Sequence, residues 1–352
     1  MGREHQIFVD ELMRFAAESA DQRVMAIAER ASAPLRVAVH GRPGVGCRTV
    51  AGALDKALMS AGVTVTSSSS SQDVLDIYVL AEVVKPEDRR AIQAIADARR
   101  PVLAVLNKAD LGGWLSHGGP AAHARCAQFS ELLGVAVEPM IALLAVAGLD
   151  DLDPDLWAAL RTLAAHPGGL AALDGPEGSY DGFLAADLPV PAADRRRLLE
   201  TLDLFGTALG IAAVQRRKTP AQARALWRKV SHVDAIVDKL VGTVNAVGAE
   251  ARYQRVLDAV AELAALAVSA GDLGAPITEF LSHDDTVVAR MAAATDLTRA
   301  LGLEDSASPL PRAVRWQRYS RGPISDVHRA CAADIARGSL RLWIRGSSRG
   351  LR

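Results

Sequence analysis

The sequence predicts an α/β domain built on a parallel sheet, with an N-terminal helix before it and an all-α helical bundle after it. Three observations lead there. From residue 34 to residue 165 short apolar runs alternate with helical stretches, the pattern of strands that form a parallel sheet covered on both faces. Between 166 and 193 Gly168, Gly169, Gly175, Gly178, Gly182 and four prolines interrupt that pattern and read as a linker or surface loop. Beyond 193 apolar residues recur at helical spacing. The expected division is an N-terminal helix over 1–33, the α/β domain over 34–165, the linker over 166–193, the bundle over 194–303 and an Arg-rich tail over 304–352.

Taken in order, Glu4 to Arg30 reads as one amphipathic helix with Ile7, Leu12, Phe15, Val24 and Ile27 toward the core, closed by Pro34. Leu35 to His40 is a first strand, followed by a Gly-rich turn and a helix from Thr49 to Ser60. Val63 to Thr66 is a second strand, and the serine run Ser67 to Ser71 follows it. Asp76 to Leu80 is a third strand, Pro86 to Ala98 a helix with Pro in its first turn, and Pro101 to Leu106 a fourth strand. A helix from His123 to Leu133, a fifth strand from Pro139 to Leu144 and a helix from Pro154 to Ala165 complete the domain. In the bundle, Leu198, Leu202, Phe205, Leu209 and Ala212 keep one helical face. Leu226, Val230, Val233, Val237, Leu240, Val244 and Val247 step by four and three, and Val256, Val260, Leu263, Ala267 and Ala270 resume after a turn near Gly248. This spacing fits an antiparallel bundle or an oligomerising coiled coil. A last helix runs from Pro276 to Leu301.

Composition narrows the classes. The 352 residues are half apolar but only 4% aromatic, and 65 alanines make up the difference. Apolar residues never run to the 18 needed for a membrane-spanning helix, and the longest stretch is Ile141 to Leu149. The charged first 30 residues argue against a signal peptide. Cys47, Cys126 and Cys331 are too few and too far apart for a disulfide framework or a zinc site, so a reducing cytoplasm is expected. The net charge of −1 hides an asymmetry: Arg312 to Arg352 contains ten arginines and only Asp326 and Asp334. The basic tail carries Trp316, Tyr319 and Trp343 among its arginines. That mixture suits an anionic membrane or nucleic acid, and equally a tail docked on the acidic body.

Two motifs carry chemistry. The first is Gly41-Arg-Pro-Gly-Val-Gly-Cys-Arg-Thr49, which follows a strand and opens a helix, as a phosphate-binding loop must. Gly41, Gly44 and Gly46 are correctly placed, whereas Cys47 stands where the loop needs Lys, Arg48 where it needs Ser or Thr, and Thr49 comes one residue late. The second is Asn107-Lys-Ala-Asp110 at the end of the fourth strand. With two Asn, six Lys and 27 Asp in the chain, the motif arises by chance in roughly one chain in four hundred of this composition. It also lies two βα units after the Gly-rich turn, at the carboxyl end of a strand, where open α/β sheets bind ligands.

Residues from about 35 to 165 thereby resemble the G domain of P-loop GTPases of the translation-factor and Ras-like class, and the fold expected is α/β, P-loop G-domain-like. The flanking helix and bundle resemble those of bacterial dynamin-like GTPases. The resemblance covers under half of the chain. It implies that Gly41, Gly44, Gly46, Arg48 and Thr49 surround the phosphates of GTP or GDP, with Thr49 the magnesium ligand. It implies that Asn107 ties its loop to the phosphate-binding turn, that the Lys108 stem lies over the guanine ring, and that the Asp110 carboxylate accepts two N–H bonds from the purine edge. A third segment, Ala142-Leu-Leu-Ala145, takes the place of the family's Ser-Ala, with the backbone N–H groups of Leu143 and Leu144 toward the guanine carbonyl.

The chain departs from the family at two points. Only 26 residues separate Thr49 from Asp76, and they contain neither the Thr that senses the terminal phosphate nor Asp-x-x-Gly. Without these nothing evident positions the attacking water, so negligible hydrolysis is expected. Two functions follow as expectations. One is a guanine-nucleotide-binding protein with weak or absent hydrolysis that serves as a regulatory or assembly subunit. The other is a pseudo-GTPase scaffold that binds no nucleotide and works through its bundle and basic tail. A weaker third, an adenine-nucleotide enzyme using Glu82 as a strand-end acid, is opposed by Asn107 and Asp110. The partner expected in either main case is another protein, including a GTPase with an intact G domain, in a homo- or hetero-oligomer.

Overall fold

The computed structural model describes residues 3–68, 70, 73–112, 119–173, 179–269, 271–303 and 305–349. Parts of the serine run, the glycine-rich linker and the Arg-rich tail lie outside the described residues, as do Ala270 and Glu304. Two compact units emerge, one of residues 36–241 and one of residues 1–35 with 242–352.

The first unit contains a five-stranded, all-parallel sheet with flanking helices. Its strands are β1 (Leu35–Gly41), β2 (Val63–Thr66), β3 (Asp73–Ala81), β4 (Val102–Asn107) and β5 (Val137–Pro139), in the order β2-β1-β3-β4-β5. The chain leaves β1 toward one side to form β2, then crosses to the other side to form β3. The loop after β1 therefore sits at the topological switch point, where doubly wound sheets bind ligands. Coverage is less complete than the apolar runs imply. Along β1 and β3 one face carries ion pairs, Arg36 with Asp73 at 3.3 Å and His40 with Asp76 at 2.5 Å, and Arg100 adds a 3.0 Å contact to Asp76. Asp73 and Asp76 are buried while their basic partners stay partly exposed.

The fifth strand falls elsewhere than expected. The strand is Val137–Pro139, and Ala142–Leu149 is a helix buried on most sides. Alanine and leucine dominate that octapeptide, and both are strong helix formers, so the apolar run has no period that separates a buried strand from a buried helix. The stretch 166–193, expected as a linker or surface loop, is structured where it is described. It contains the helices Gly168–Ala171 and Tyr180–Ala185, and it buries Leu173, Phe183 and Val190 in the core. Gly169 is there for close packing: a Cβ would collide with the carbonyl of Leu163. Arg195, itself buried, donates to the carbonyls of Phe183 at 2.7 Å and Ala186 at 2.6 Å and so holds the end of the second short helix.

Residues Ala192–Gln215 form a long helix, broken internally at Asp203, and Pro220–Val230 follows it. The break shifts the buried face, so Phe205, Gly206, Gly210 and Ile211 are buried while Leu209 and Ala212 are only half-buried. Among the described residues this is the one helix long and apolar enough to cross a membrane by length and composition, and more than half of its apolar window is buried in the protein. The helix Val233–Ser269 runs through Gly248 without the expected turn. The chain breaks instead at His232 (φ 60), which separates Leu226 and Val230 from the valines after them.

The second unit is all helical. Its N-terminal part is two helices, Arg3–Ser19 and Gln22–Ser32, because the Asp21 carboxylate accepts from the backbone of Arg23 and Val24 and starts a new helix. Leu12, Val24 and Ile27 are buried as expected, Phe15 stacks on Phe280, and Phe8 takes the core position expected of Ile7, which is exposed. The expected helix 276–301 is likewise two, Gly274–Ser282 and Asp284–Ala300, divided at His283. The Arg-rich segment forms Pro309–Tyr319 and Asp326–Arg349. Arg315, Arg337, Arg341 and Arg345 pair with Asp305, Asp334, Asp284 and Asp285.

Replacing Arg195 by Ala removes two buried charge-assisted bonds and should lower stability by roughly 2–4 kcal/mol, measured by denaturant unfolding. It should also speed proteolysis between 168 and 191. An unchanged unfolding midpoint would show that the segment is held by apolar packing alone.

Candidate functional site

The Gly-rich loop spans the gap between Gly41, the end of β1, and Cys47, the start of the helix Cys47–Leu58. Two glycines are required by geometry. A Cβ on Gly41 would lie 2.7 Å from the carbonyl oxygen of Val79 and 2.8 Å from Cys47 Sγ, so the loop can fold back only without a side chain. Gly46 has φ +92, and a Cβ there would run into the amide of Asn107. Within the loop Val45 N–H donates to the Arg42 carbonyl at 3.4 Å, and the helix opens with Val50 N–H on the Gly46 carbonyl at 3.0 Å. No side chain caps the helix that follows, which leaves the amides of its first turn directed at the mouth of the loop.

Asn107 joins this loop to the rest of the site. Its Nδ2 donates to the Val45 carbonyl at 2.8 Å, and its Oδ1 accepts from the backbone N–H of Ala142 at 3.0 Å. One buried amide thus fixes the phosphate-loop candidate, the end of β4 and the start of the helix Ala142–Leu149 relative to one another. Lys108 follows in the left-handed region (φ 56) and is exposed. Asp110 lies in the short 3-10 turn Ala109–Gly112 and is half-buried. Burial pushes its carboxyl above the ordinary 3.8, and the charge of Asp203 pushes the same way, while its own backbone N–H and Lys108 oppose. Among the described residues it accepts no side-chain hydrogen bond.

Other candidate residues fall elsewhere. Arg42, inside the glycine loop, is committed: its Nε donates to Asp88 at 2.8 Å. Asp88 is fully buried and also accepts from Tyr78 Oη at 2.9 Å and from the backbone of Lys85 at 2.8 Å. This clasp was legible only as a local signal, an acid three residues past the start of a Pro-led helix. Arg48 is exposed and Thr49 half-buried, both in the first turn after the loop. The Cys47 thiol is turned back against Gly41, and burial raises it above its ordinary value. Leu143 and Leu144 lie in the first turn of a helix, not at a strand end, and the Leu144 side chain is fully buried. Among the described residues no three of His, Cys, Asp and Glu are grouped to hold a metal ion.

Compared with known proteins, the chain matches no family model, no curated protein and no solved structure. The site therefore has to be read from its own geometry. That geometry offers helix-start amides within a glycine loop for an anion, and beside it a carboxylate held ready for N–H donors.

Because folding raises the Asp110 carboxyl, the protonated form is the one the fold favours, and the stability it gives is lost as pH rises through the raised value. Asp110→Asn should therefore raise the melting temperature at neutral pH, and the gain should vanish as the pH falls below 3.8. A variant less stable than the parent at neutral pH would mean that the ionised carboxylate has a partner within the fold.

Proposed function

We propose that the unit of residues 36–241 binds guanine nucleotides at the carboxyl ends of β1 and β4, hydrolyses GTP weakly or not at all, and makes the protein a regulatory or assembly subunit acting through another protein. The observation that carries this is the Asn107 amide, which spans from the glycine loop to the segment of Ala142. It links a phosphate-loop candidate and a base-reading candidate across 62 positions in sequence.

Asp110 supplies the discrimination. A half-buried carboxylate with only its own backbone N–H as donor is under-satisfied, and guanine offers two N–H groups in the right pairing where adenine does not. Each such bond is worth about 1.5–3 kcal/mol. On the phosphate side the loop amides and Arg48 remain, while Cys47 supplies no charge and Arg42 is held by Asp88. Losing a Lys contact weakens phosphate binding by about 10- to 150-fold. Thr49, the one hydroxyl in that first turn, would supply an oxygen to magnesium when the ion arrives with the nucleotide. The sequence between Thr49 and Asp76 offers no Asp-x-x-Gly to hold a water for attack. Even complete Ras-like sites turn over at only about 10⁻⁴ s⁻¹ unaided, so binding rather than turnover is the function retained.

The scaffold reading, a pseudo-GTPase without nucleotide, draws on the same clasp: Arg42 and Asp88 hold the loop with the protein's own charges. Titration with fluorescent GDP, GTP and ADP, on the parent and on Asp110→Ala, separates the two. Micromolar guanine-nucleotide binding lost in the variant is expected. No binding at millimolar nucleotide with magnesium would establish the scaffold, and equal affinity for ADP would overturn the guanine assignment.

A further inference from the structure

The long helix Ala192–Gln215 is interrupted at Asp203, whose φ of 60° and ψ of −177° fall in a region that is essentially reserved for glycine. Leu202 before it and Phe205, Gly206 and Thr207 after it are all buried, so packing on both sides holds the break in place. Asp203 Oδ1 accepts from the Leu204 N–H at 2.8 Å, and its carbonyl accepts from Thr207 Oγ1 at 2.6 Å, which starts the second half of the helix. Its Oδ2 accepts no hydrogen bond among the described residues.

The break is seated on the base-reading turns. Gly206 meets Leu144 so closely that a Cβ would clash with its methyl, and Phe205 shares one buried cluster with Ala109 and Leu144. Ala109 is the residue between Lys108 and Asp110. The charge of Asp203 is felt at Asp110, and two like charges facing one turn are unfavourable until N–H donors come between them. Guanine presents three N–H groups along one edge, and Asp110 can take two of them.

We infer that Asp203 is a specificity-determining residue of the base site, its Oδ2 accepting the second N–H of the exocyclic amine of guanine while Asp110 accepts the ring N–H and the first. This rests on the guanine-nucleotide reading above. It makes the site selective for the 2-amino group itself: hypoxanthine retains only the ring N–H, and xanthine would turn a carbonyl toward two carboxylates.

The test is the affinity of the full-length chain for GDP, IDP and XDP, and the same for Asp203→Asn and Asp203→Gly. Glycine suits the backbone at this position, so the second variant removes the carboxylate while relieving the strained conformation. The parent should prefer GDP to IDP through two contacts and each variant through one, so the IDP-to-GDP ratio of dissociation constants should fall by about 10-fold or more in both variants. XDP binding should improve in both. A ratio unchanged in both variants, with GDP still bound, overturns the role of Asp203 and leaves the site standing. Failure of the parent to bind GDP overturns the site and this inference together.

Discussion

The first unit depends on one buried amide. Asn107 ends β4 with a side chain whose donor and acceptor are both used on backbone, Val45 on one side and Ala142 on the other. Neither of those segments is otherwise tied to β4 by side-chain hydrogen bonds among the described residues. Removing the amide would leave a carbonyl and an N–H unpaired in a buried place, a loss of about 1–3 kcal/mol for each. The same amide dictates Gly46, because no side chain fits between that residue and Asn107 Nδ2. A motif residue and a glycine 61 positions apart are thus one structural fact.

In both units arginines serve the structure. Arg42 holds the glycine loop to Asp88, Arg195 holds the segment before it through two carbonyls, and Arg290 with Tyr253 satisfies the buried Asp334 of the helical unit. A guanidinium presents several donors in a plane and keeps its charge when buried, which an ammonium does less well. The abundance of Arg over Lys in the sequence therefore has a counterpart in the fold. The arginine inside the glycine loop, Arg42, is likewise taken up by a buried acid.

Much of the α/β unit was legible in the sequence because its strands are short, apolar and flanked by turn residues, and the order of β1 to β4 came through with ends shifted by up to three residues. Asn107 and Asp110 were legible because their spacing is rare in a chain with two asparagines. What could not be read was set by tertiary contact. Ala142 to Leu149 has no polar face, so its period is silent between strand and helix. Gly169, in the glycine-rich stretch, marks a close approach to the Leu163 carbonyl, not slack. Asp21, His232 and His283 divide helices that the apolar spacing runs together, because a single cap or left-handed residue leaves hydrophobic periodicity nearly intact. Asp88 carried only a local helix-start signal and Asp203 none; the fold brings them to the glycine loop and toward the Asn107–Asp110 turn.

If the glycine loop and the Asn107–Asp110 turn form one nucleotide site, as proposed, a bound nucleotide protects both segments. Hydrogen exchange of the backbone amides with and without saturating GDP tests it most directly, since it reads both segments in one sample. Slower exchange is expected at residues 44–49 and at 107–111 together, with ADP producing neither. Protection confined to one of the two segments, or equal with ADP, would contradict it.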